Sequence, residues 1–186
     1  GPEATLLLMR RLLDAVPARD DTDHVPLIVD QNPQVPSRID HLIAGTGADP
    51  APVLAEMAAR LERAGAVALA MPCNTAHHYA AAIRAAVGIP FLDMVALSAD
   101  RAADRARGSG RVGILGSPAL RRAGLFDAPL AERGLSAIYP ADEDASLAAV
   151  REIKSAGPTP AASGRIGDAA RALAEAGAGT IVVACT

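Results

Sequence analysis

The sequence contains two cysteines, and one of them is surrounded by polar residues at the end of an apolar run. Cys73 lies in the stretch AMPCNTAH (70–77), and Cys185 lies in IVVACT at the far end of the sequence. A lone cysteine usually behaves as a small core hydrophobe, but a core does not favour Asn, Thr and His beside it. Two thiols could act on opposite faces of one carbon atom, one as a thiolate base and the other as a thiol acid.

An internal repeat supports treating the two cysteines as a pair. The segment AARLERAGAVALAMPCNT (58–75) resembles AARALAEAGAGTIVVACT (169–186), and in both a glycine, Gly65 or Gly177, precedes the cysteine by eight residues. Coincidence in an alanine-rich chain is one explanation. The other is two similar halves, each presenting one cysteine from the same topological position. Taken alone, Cys185 would be interpreted as a buried strand residue.

The order of apolar patterns predicts an α/β fold. Helical periodicity alternates with short apolar runs, which indicates parallel sheets covered by helices. The predicted strands are 24–31, 66–71, 89–94, 111–116, 135–140 and 180–185, and one helix is expected over about 118–133. We expect two similar α/β/α domains, 1–97 and 98–186, related by a pseudo-two-fold axis. Ligands bind at the carboxyl ends of such strands, where both cysteines lie, so the site is expected in the cleft between the domains.

Composition excludes several classes of function. The chain of 186 residues has no Trp, only two Phe and two Tyr, and a net charge of −3, which argues against a nucleic-acid partner. No apolar run approaches the roughly 20 residues that span a bilayer, and no signal peptide is apparent, so no membrane partner is predicted. Two cysteines make a poor disulfide framework, which favours a reducing cytoplasm.

Four motifs together resemble the cofactor-independent aspartate racemases of the Asp/Glu racemase superfamily. They are MPCNTAH with the distant ACT, the opening GPEAT, the loop NPQVPSR (32–38), and DMVALSA (93–99). The resemblance implies racemisation of a small amino-acid substrate by the two cysteines, no cofactor, no metal and a homodimer. It also implies that the chain lacks the family's first strand and whatever follows the final Thr. Glutamate racemases share CNT and CT but match less well.

Candidate substrate-binding residues follow from the chemistry and from the resemblance. A carbanion formed without a cofactor needs preorganised donors, for which the candidates are Asn74, Thr75, Ser117 and Thr186. A helix starting near Thr75 would also favour a Cys73 thiolate. By the resemblance, Arg38 matches the arginine that holds a substrate carboxylate, and Gln34 in the same loop is expected to line the pocket. Lys154, the only lysine in the chain, lies about where the family has a substrate-contacting lysine.

One departure from the family and several alternatives stay open. In GILGSPAL (113–120), Ser117 can replace one expected hydroxyl, but Leu120 stands where a second Thr is expected, which leaves the substrate in doubt. The alternatives are racemisation of glutamate or another amino acid, a non-catalytic carboxylate-binding relative, and a decarboxylase or cis-trans isomerase of the superfamily. A pyridoxal-dependent racemase would need Lys154 as its Schiff base, without a supporting motif. His77 and His78 lack the spacing of metal ligands, and a helix surface or a pocket-wall hydrogen bond is expected for them.

Overall fold

The computed structural model describes residues 1–106 and 108–185 and confirms a mixed α/β fold with parallel sheets. Three of the longer helices begin at a residue whose side chain caps the first turn: Asp93, Asp142 and Thr159 accept hydrogen bonds from backbone N–H groups there. The α-helices are α1 (Pro2–Ala15), α2 (Ala51–Arg63), α3 (Ala80–Ala86), α4 (Met94–Arg105), α5 (Ala119–Arg122), α6 (Asp127–Ala131), α7 (Glu143–Ala156) and α8 (Pro160–Glu175). The strands are β1 (Leu69–Ala70), β2 (Phe91–Leu92), β3 (Arg111–Leu115), β4 (Ser136–Ile138) and β5 (Thr180–Val183).

The described strands form two separate parallel sheets. In the first, β1 pairs with β2, with Leu69 opposite Phe91. In the second, β3 lies between β4 and β5, so its Val112 faces a residue of each neighbour, Ala137 and Thr180. Each parallel connection runs through helices, as the alternation of patterns predicts. The second sheet is the more regular, because its central strand is buried from Val112 to Leu115.

Two clusters of buried side chains accompany the two sheets. One surrounds β1, α2 and α3, and includes Leu54, Leu69 and Ile83. The other surrounds β3, and includes Val112, Ile114, Phe126 and Leu130. Helix α4 follows β2 in the chain, but its buried residues Val95, Ala99 and Ala102 belong to the second cluster, where the helix packs against β5. Helix α4 therefore links the segment that follows the first sheet to the core of the second.

The predicted strand over 24–31 is wrong. This segment is extended but has no strand partner among the described residues, and Val25, Leu27, Ile28 and Val29 are each about half exposed. An apolar run becomes a strand only where a neighbouring strand satisfies its backbone groups, and Pro26 lacks the N–H that a ladder needs. The segment is instead tied to α2 through Asp30, whose Oδ2 accepts hydrogen bonds from Arg60 Nε at 3.0 Å and Nη2 at 2.5 Å.

The single helix expected over 118–133 is two short helices. Helix α5 ends at Arg122, and α6 begins at Asp127. Gly124, between them, has a φ of +59°, a conformation that glycine adopts at little cost and that a helix interior does not contain. The break allows Phe126 to turn inward, where its side chain is completely buried in the second cluster.

Candidate active site

Cys73 lies in a tight turn just beyond β1. The backbone N–H of Cys73 donates to the carbonyl of Met71 at 2.8 Å, which closes a turn around Pro72. A helix begins at Thr75, as expected, but its first five residues (Thr75–Tyr79) form a 3₁₀-helix before α3 continues. Asn74 is buried in this turn, and its Oδ1 has no hydrogen-bond partner among residues 1–106 and 108–185. A buried acceptor without a partner costs about 1–3 kcal/mol, which makes Asn74 a good candidate for binding a ligand's N–H group.

His77 is buried and connects the Cys73 turn to the start of α4. Its Nδ1 lies 2.8 Å from the carbonyl oxygen of Cys73, and its Nε2 lies 3.1 Å from the backbone nitrogen of Met94. A carbonyl can only accept and an amide N–H can only donate, so Nδ1 carries the proton and Nε2 is the acceptor. The imidazole is therefore neutral. Burial, the largest effect, lowers the pKa of His77 below 6.5, although the Cys73 carbonyl and the nearby Asp93 oppose this.

Cys185 follows the carboxyl end of β5 and lines a cavity there. The floor of the cavity is the β3–β5 edge, and its walls are α7 and α8, which pack against each other. Lys154, in the last turn of α7, shares this cavity with Cys185. Seven of the lining residues are apolar: Leu115, Ala149, Val150, Ile153, Ile166, Ala169 and Val183; the others are Gly116, Ser146, Lys154, Arg165 and Cys185.

The charges around Cys185 connect it to two other candidate residues. Burial is the main cause that raises the pKa of the Cys185 thiol above its ordinary value of 9.0. The ammonium groups of Lys154 and of the N-terminus oppose this shift, whereas the negative charge of a Cys73 thiolate adds to it. Cys185 is therefore kept in the protonated, acid form at neutral pH.

Arg38 and Lys154 are the two candidate cations for substrate carboxylates. Arg38 is half-buried, and its Nη1 donates to the carbonyls of Val35 at 3.3 Å and Pro36 at 3.0 Å, which fixes the guanidinium against its own loop. Neither cation forms an ion pair with a carboxylate among residues 1–106 and 108–185, so the charge of each is available to a ligand. Gln34 in the same loop is exposed.

The structure places the other residues singled out from sequence in different parts of the molecule. Thr75 begins the 3₁₀-helix after Cys73. Ser117 is buried, accepts a hydrogen bond from the N–H of Ala119 at 3.3 Å, and lines a smaller cavity that shares Gly116 and Ser146 with the first. Leu120 is 1% exposed and belongs to the second core cluster, where its Cδ1 lies so near Gly116 that an added Cβ would be 2.7 Å away. Thr186 lies outside the described residues.

Two residues of the site had no role assigned from sequence, and a third had two alternative roles. Arg165 and Ser146 line the Cys185 cavity, but nothing distinguishes Arg165 in a chain rich in arginine. Arg165 Nη1 forms an ion pair with Glu152 Oε2 at 2.5 Å, so its charge is largely compensated. The third is His77, for which a hydrogen bond was one of two expected roles. Its position four residues after Cys73 on a helical turn is the signal that could have identified the contact with the Cys73 carbonyl.

Two further structural tests concern metals and membranes. In the two described ranges, no cluster of three or more His, Cys, Asp or Glu side chains is arranged to bind a metal ion. None of the helices in the same ranges has the length and apolarity needed to cross a bilayer.

Comparison with known proteins gives the same family for the whole chain. The family model for Asp/Glu/hydantoin racemases matches residues 1–186. Among solved structures, the aspartate racemase of Picrophilus torridus superimposes with a TM-score of 0.84 at 24% identity, over 100% of this chain and 77% of that one. An aspartate racemase homologue from Pyrococcus horikoshii OT3 superimposes with a TM-score of 0.71 at 20% identity, over 99% of this chain and 80% of that one. At these identities the two structures establish the fold.

Proposed function

Because the chain belongs to the Asp/Glu/hydantoin racemase family, we propose that it interconverts L- and D-aspartate without a cofactor, using Cys73 and Cys185 as the two bases. The observation that carries the proposal is that Cys73 and Cys185 lie beyond the carboxyl ends of two parallel strands, β1 and β5, which belong to different sheets. As further parts of the proposal, the two halves 1–97 and 98–186 form a cleft, and the enzyme is a cytoplasmic homodimer. Both cysteines are free thiols.

The proposed reaction moves one proton off the substrate and one onto it. In one direction the Cys73 thiolate takes the Cα proton, and the bonding electron pair stays on the substrate as a carbanion conjugated with its α-carboxylate. The Cys185 thiol then donates its proton to the opposite face of Cα, which leaves Cys73 as the thiol and Cys185 as the thiolate. The opposite enantiomer reacts with these roles exchanged. The raised pKa of Cys185 suits its role as the initial acid in this direction.

Two cations that form no ion pair with a carboxylate of residues 1–106 and 108–185 support a dicarboxylic substrate. Val35 of the Arg38 loop packs against the first cluster, as Cys73 does, whereas Lys154 lines the same cavity as Cys185. Aspartate carries one carboxylate for each cation. The buried Oδ1 of Asn74 would accept from the substrate ammonium, while Ser117, Thr75 and Thr186 are proposed donors to the carboxylate that gains charge. Glutamate, or another amino acid with a polar side chain, is the alternative substrate.

The experiment is a chiral assay of purified protein over a panel of amino acids in heavy water. D-Aspartate formed from L-aspartate should carry deuterium at Cα, because the donating thiol exchanges its proton with solvent. Alanine and serine, which lack the second carboxylate, should be poor substrates. Preferred racemisation of a neutral amino acid would overturn the aspartate assignment, and binding of aspartate without any Cα exchange would favour the non-catalytic carboxylate-binding relative.

A further inference from the structure

His77 joins the Cys73 turn to the first residue of α4, the helix that runs from the first half (1–97) into the second (98–186). Its Nδ1–H donates to the carbonyl of Cys73, and its Nε2 accepts from the N–H of Met94, the first residue of α4. The side chain is only 2% exposed, so water does not compete for either bond. Both bonds are made by backbone groups, and the imidazole therefore fixes the main chain at Cys73 relative to the N-terminus of α4.

Helix α4 carries this constraint to the other thiol. Its inner face, Val95, Ala99 and Ala102, is almost completely buried in the second core cluster, together with Ala184, the residue before Cys185. The helix also packs against β5, at whose carboxyl end Cys185 lies. A close-packed interior transmits a displacement rather than absorbing it, so a shift at Met94 would reach the segment that holds Cys185.

We propose that His77 is a positioning residue that sets the separation of Cys73 and Cys185 by bonding the Cys73 carbonyl to the start of α4. This inference rests on the proposed function, because it assumes that the two thiols act on one Cα atom. A base and an acid on opposite faces must be held at a fixed separation. An error of about 1 Å in placing reacting groups can cost roughly a hundredfold in rate.

The geometry also predicts how protonation would break the connection. A proton on Nε2 would face the N–H of Met94, and the carboxylate of Asp93 lies beyond hydrogen-bond distance, with its Oδ1 3.9 Å from Nε2. That oxygen already accepts from the N–H groups of Val95 and Ala96, and Arg84 binds the other carboxylate oxygen at 2.6 Å. Asp93 would have to leave the helix cap to pair with the imidazolium. Phe91 packs against the ring and offers no acceptor, so the charged groups facing His77 are Asp93 and Arg84.

The test uses the fact that the chain has only two cysteines. Intramolecular cross-linking with bifunctional methanethiosulfonates of graded spacer length reports the separation of the thiols without further mutation. The variants are His77→Leu, which removes both hydrogen bonds, and His77→Gln, whose amide can donate and accept but cannot titrate. His78→Gln is the matched control, because His78 is the exposed neighbour. Thermal unfolding of each variant shows that it is folded.

The wild type, His78→Gln and His77→Gln should prefer the same spacer, and His77→Leu should lose that preference. In His77→Leu, kcat should fall about a hundredfold with little change in KM, and His77→Gln should recover most of the loss at neutral pH. As the pH falls through the lowered pKa of His77, the wild type and His78→Gln should lose their spacer preference, whereas His77→Gln should keep it, and their kcat should fall more steeply than that of His77→Gln. If His77 only stabilised the fold, His77→Gln would not restore kcat and spacer preference and also remove their dependence on the His77 charge.

The inference is overturned if folded His77→Leu keeps the wild-type spacer preference and kcat. If His77→Leu does not fold, the inference is overturned instead when the kcat of the wild type and that of His77→Gln fall in the same way toward low pH. If no protein racemises any amino acid, the proposed function fails. The spacer preferences and their pH dependence then still decide whether His77 sets the separation of the thiols.

Discussion

The two cysteine-bearing segments fold alike up to the cysteine. Helices α2 and α8 both end two residues before a glycine with positive φ, Gly65 at +97° and Gly177 at +89°. In both, the glycine N–H bonds to the carbonyl three residues back, and the next N–H bonds to the carbonyl five residues back. The same eight-residue step then leads through a parallel strand to the cysteine. The repeat seen in sequence is therefore a repeat in local structure.

The segments differ at the residue before the cysteine. Ala184 donates its N–H to the carbonyl of Leu115 at 2.7 Å, which extends the pairing of β5 with β3 as far as Cys185. Pro72, at the equivalent position, has no N–H, so β1 ends at Ala70 and Cys73 lies in a turn. The sheet ladder holds Cys185, whereas the imidazole of His77 holds Cys73. Equivalent thiols in a repeated unit thus depend on different interactions for their placement.

The largest effect expected from this comparison is that of removing either thiol. Cys73→Ala and Cys185→Ala should each abolish racemisation, because each leaves one face of Cα without an acid or base. In heavy water, each variant should still exchange the Cα proton of one enantiomer, and the two variants should act on opposite enantiomers. The double variant should show no exchange and little further loss of racemisation, since the pair acts as a unit. Near-native racemisation by Cys185→Ala would return that residue to the status of a buried strand cysteine.

The two cations should give the next largest effect. Arg38→Ala and Lys154→Ala should each raise KM for aspartate about tenfold to a hundredfold, because a charged hydrogen bond contributes roughly 1.5–3 kcal/mol. Arg165→Ala is the informative control, since Arg165 lines the same cavity as Lys154 but is paired with Glu152. Its KM should change less than that of Lys154→Ala. Equal effects of all three substitutions would show that the cavity attracts anions without a specific contact.

A smaller effect is expected on the rate at which the Cys185 thiol is alkylated, compared with the Cys73 thiol. Lys154 lowers the pKa of Cys185, so Lys154→Ala should raise that pKa further and leave less thiolate at any pH below it. Alkylation of Cys185 by iodoacetamide should slow roughly two- to fivefold at low salt, with less slowing at high salt. Site-resolved mass spectrometry gives both cysteines from one sample, and Arg151→Ala, an exposed position on the same helix, is the control. Similar slowing in Arg151→Ala would mean that only the net charge matters.

Much of the fold follows from local patterns, and the errors have physical causes. The positions of β3 and β5 could be predicted because each is a short apolar run between helical patterns, and the two runs pair with each other. The run 24–31 is also apolar at its centre but has no partner strand in the part of the chain that the structure describes, and a sequence pattern does not report whether a partner exists. The helix expected over 118–133 is divided because Gly124 lets Phe126 reach the core. The stabilisation comes from tertiary packing, which a local pattern does not report.

The site was predictable in its chemistry but less so in its contacts. Residue types and the repeat pointed to Cys73 and Cys185, and a chain with one lysine drew attention to Lys154. The Cys185 cavity also contains Arg165, which comes from a different helix and has no distinctive spacing. The contact between His77 and Met94 spans 17 residues and depends on how α4 is oriented. Such placements arise from packing, and single-residue patterns do not encode them.

The smallest expected effect tests whether the two repeated turns are equivalent in energy. Gly65→Ala and Gly177→Ala should each cost about 1–2 kcal/mol of unfolding free energy, because an alanine there would have to adopt a left-handed backbone. A Cβ at Gly65 would meet no atom within 4 Å, and one at Gly177 would only touch Arg111 at 3.6 Å, so conformational strain is the main cost in both. Gly164→Ala, in the exposed interior of α8, should instead stabilise the protein by roughly 0.5–1 kcal/mol. Urea unfolding of the three variants measures these differences. A much larger loss of unfolding free energy in Gly177→Ala than in Gly65→Ala would show that the two turns are not equivalent. The segment that leads to Cys185, which is continuous with the larger sheet, would then depend on its turn more than the segment that leads to Cys73.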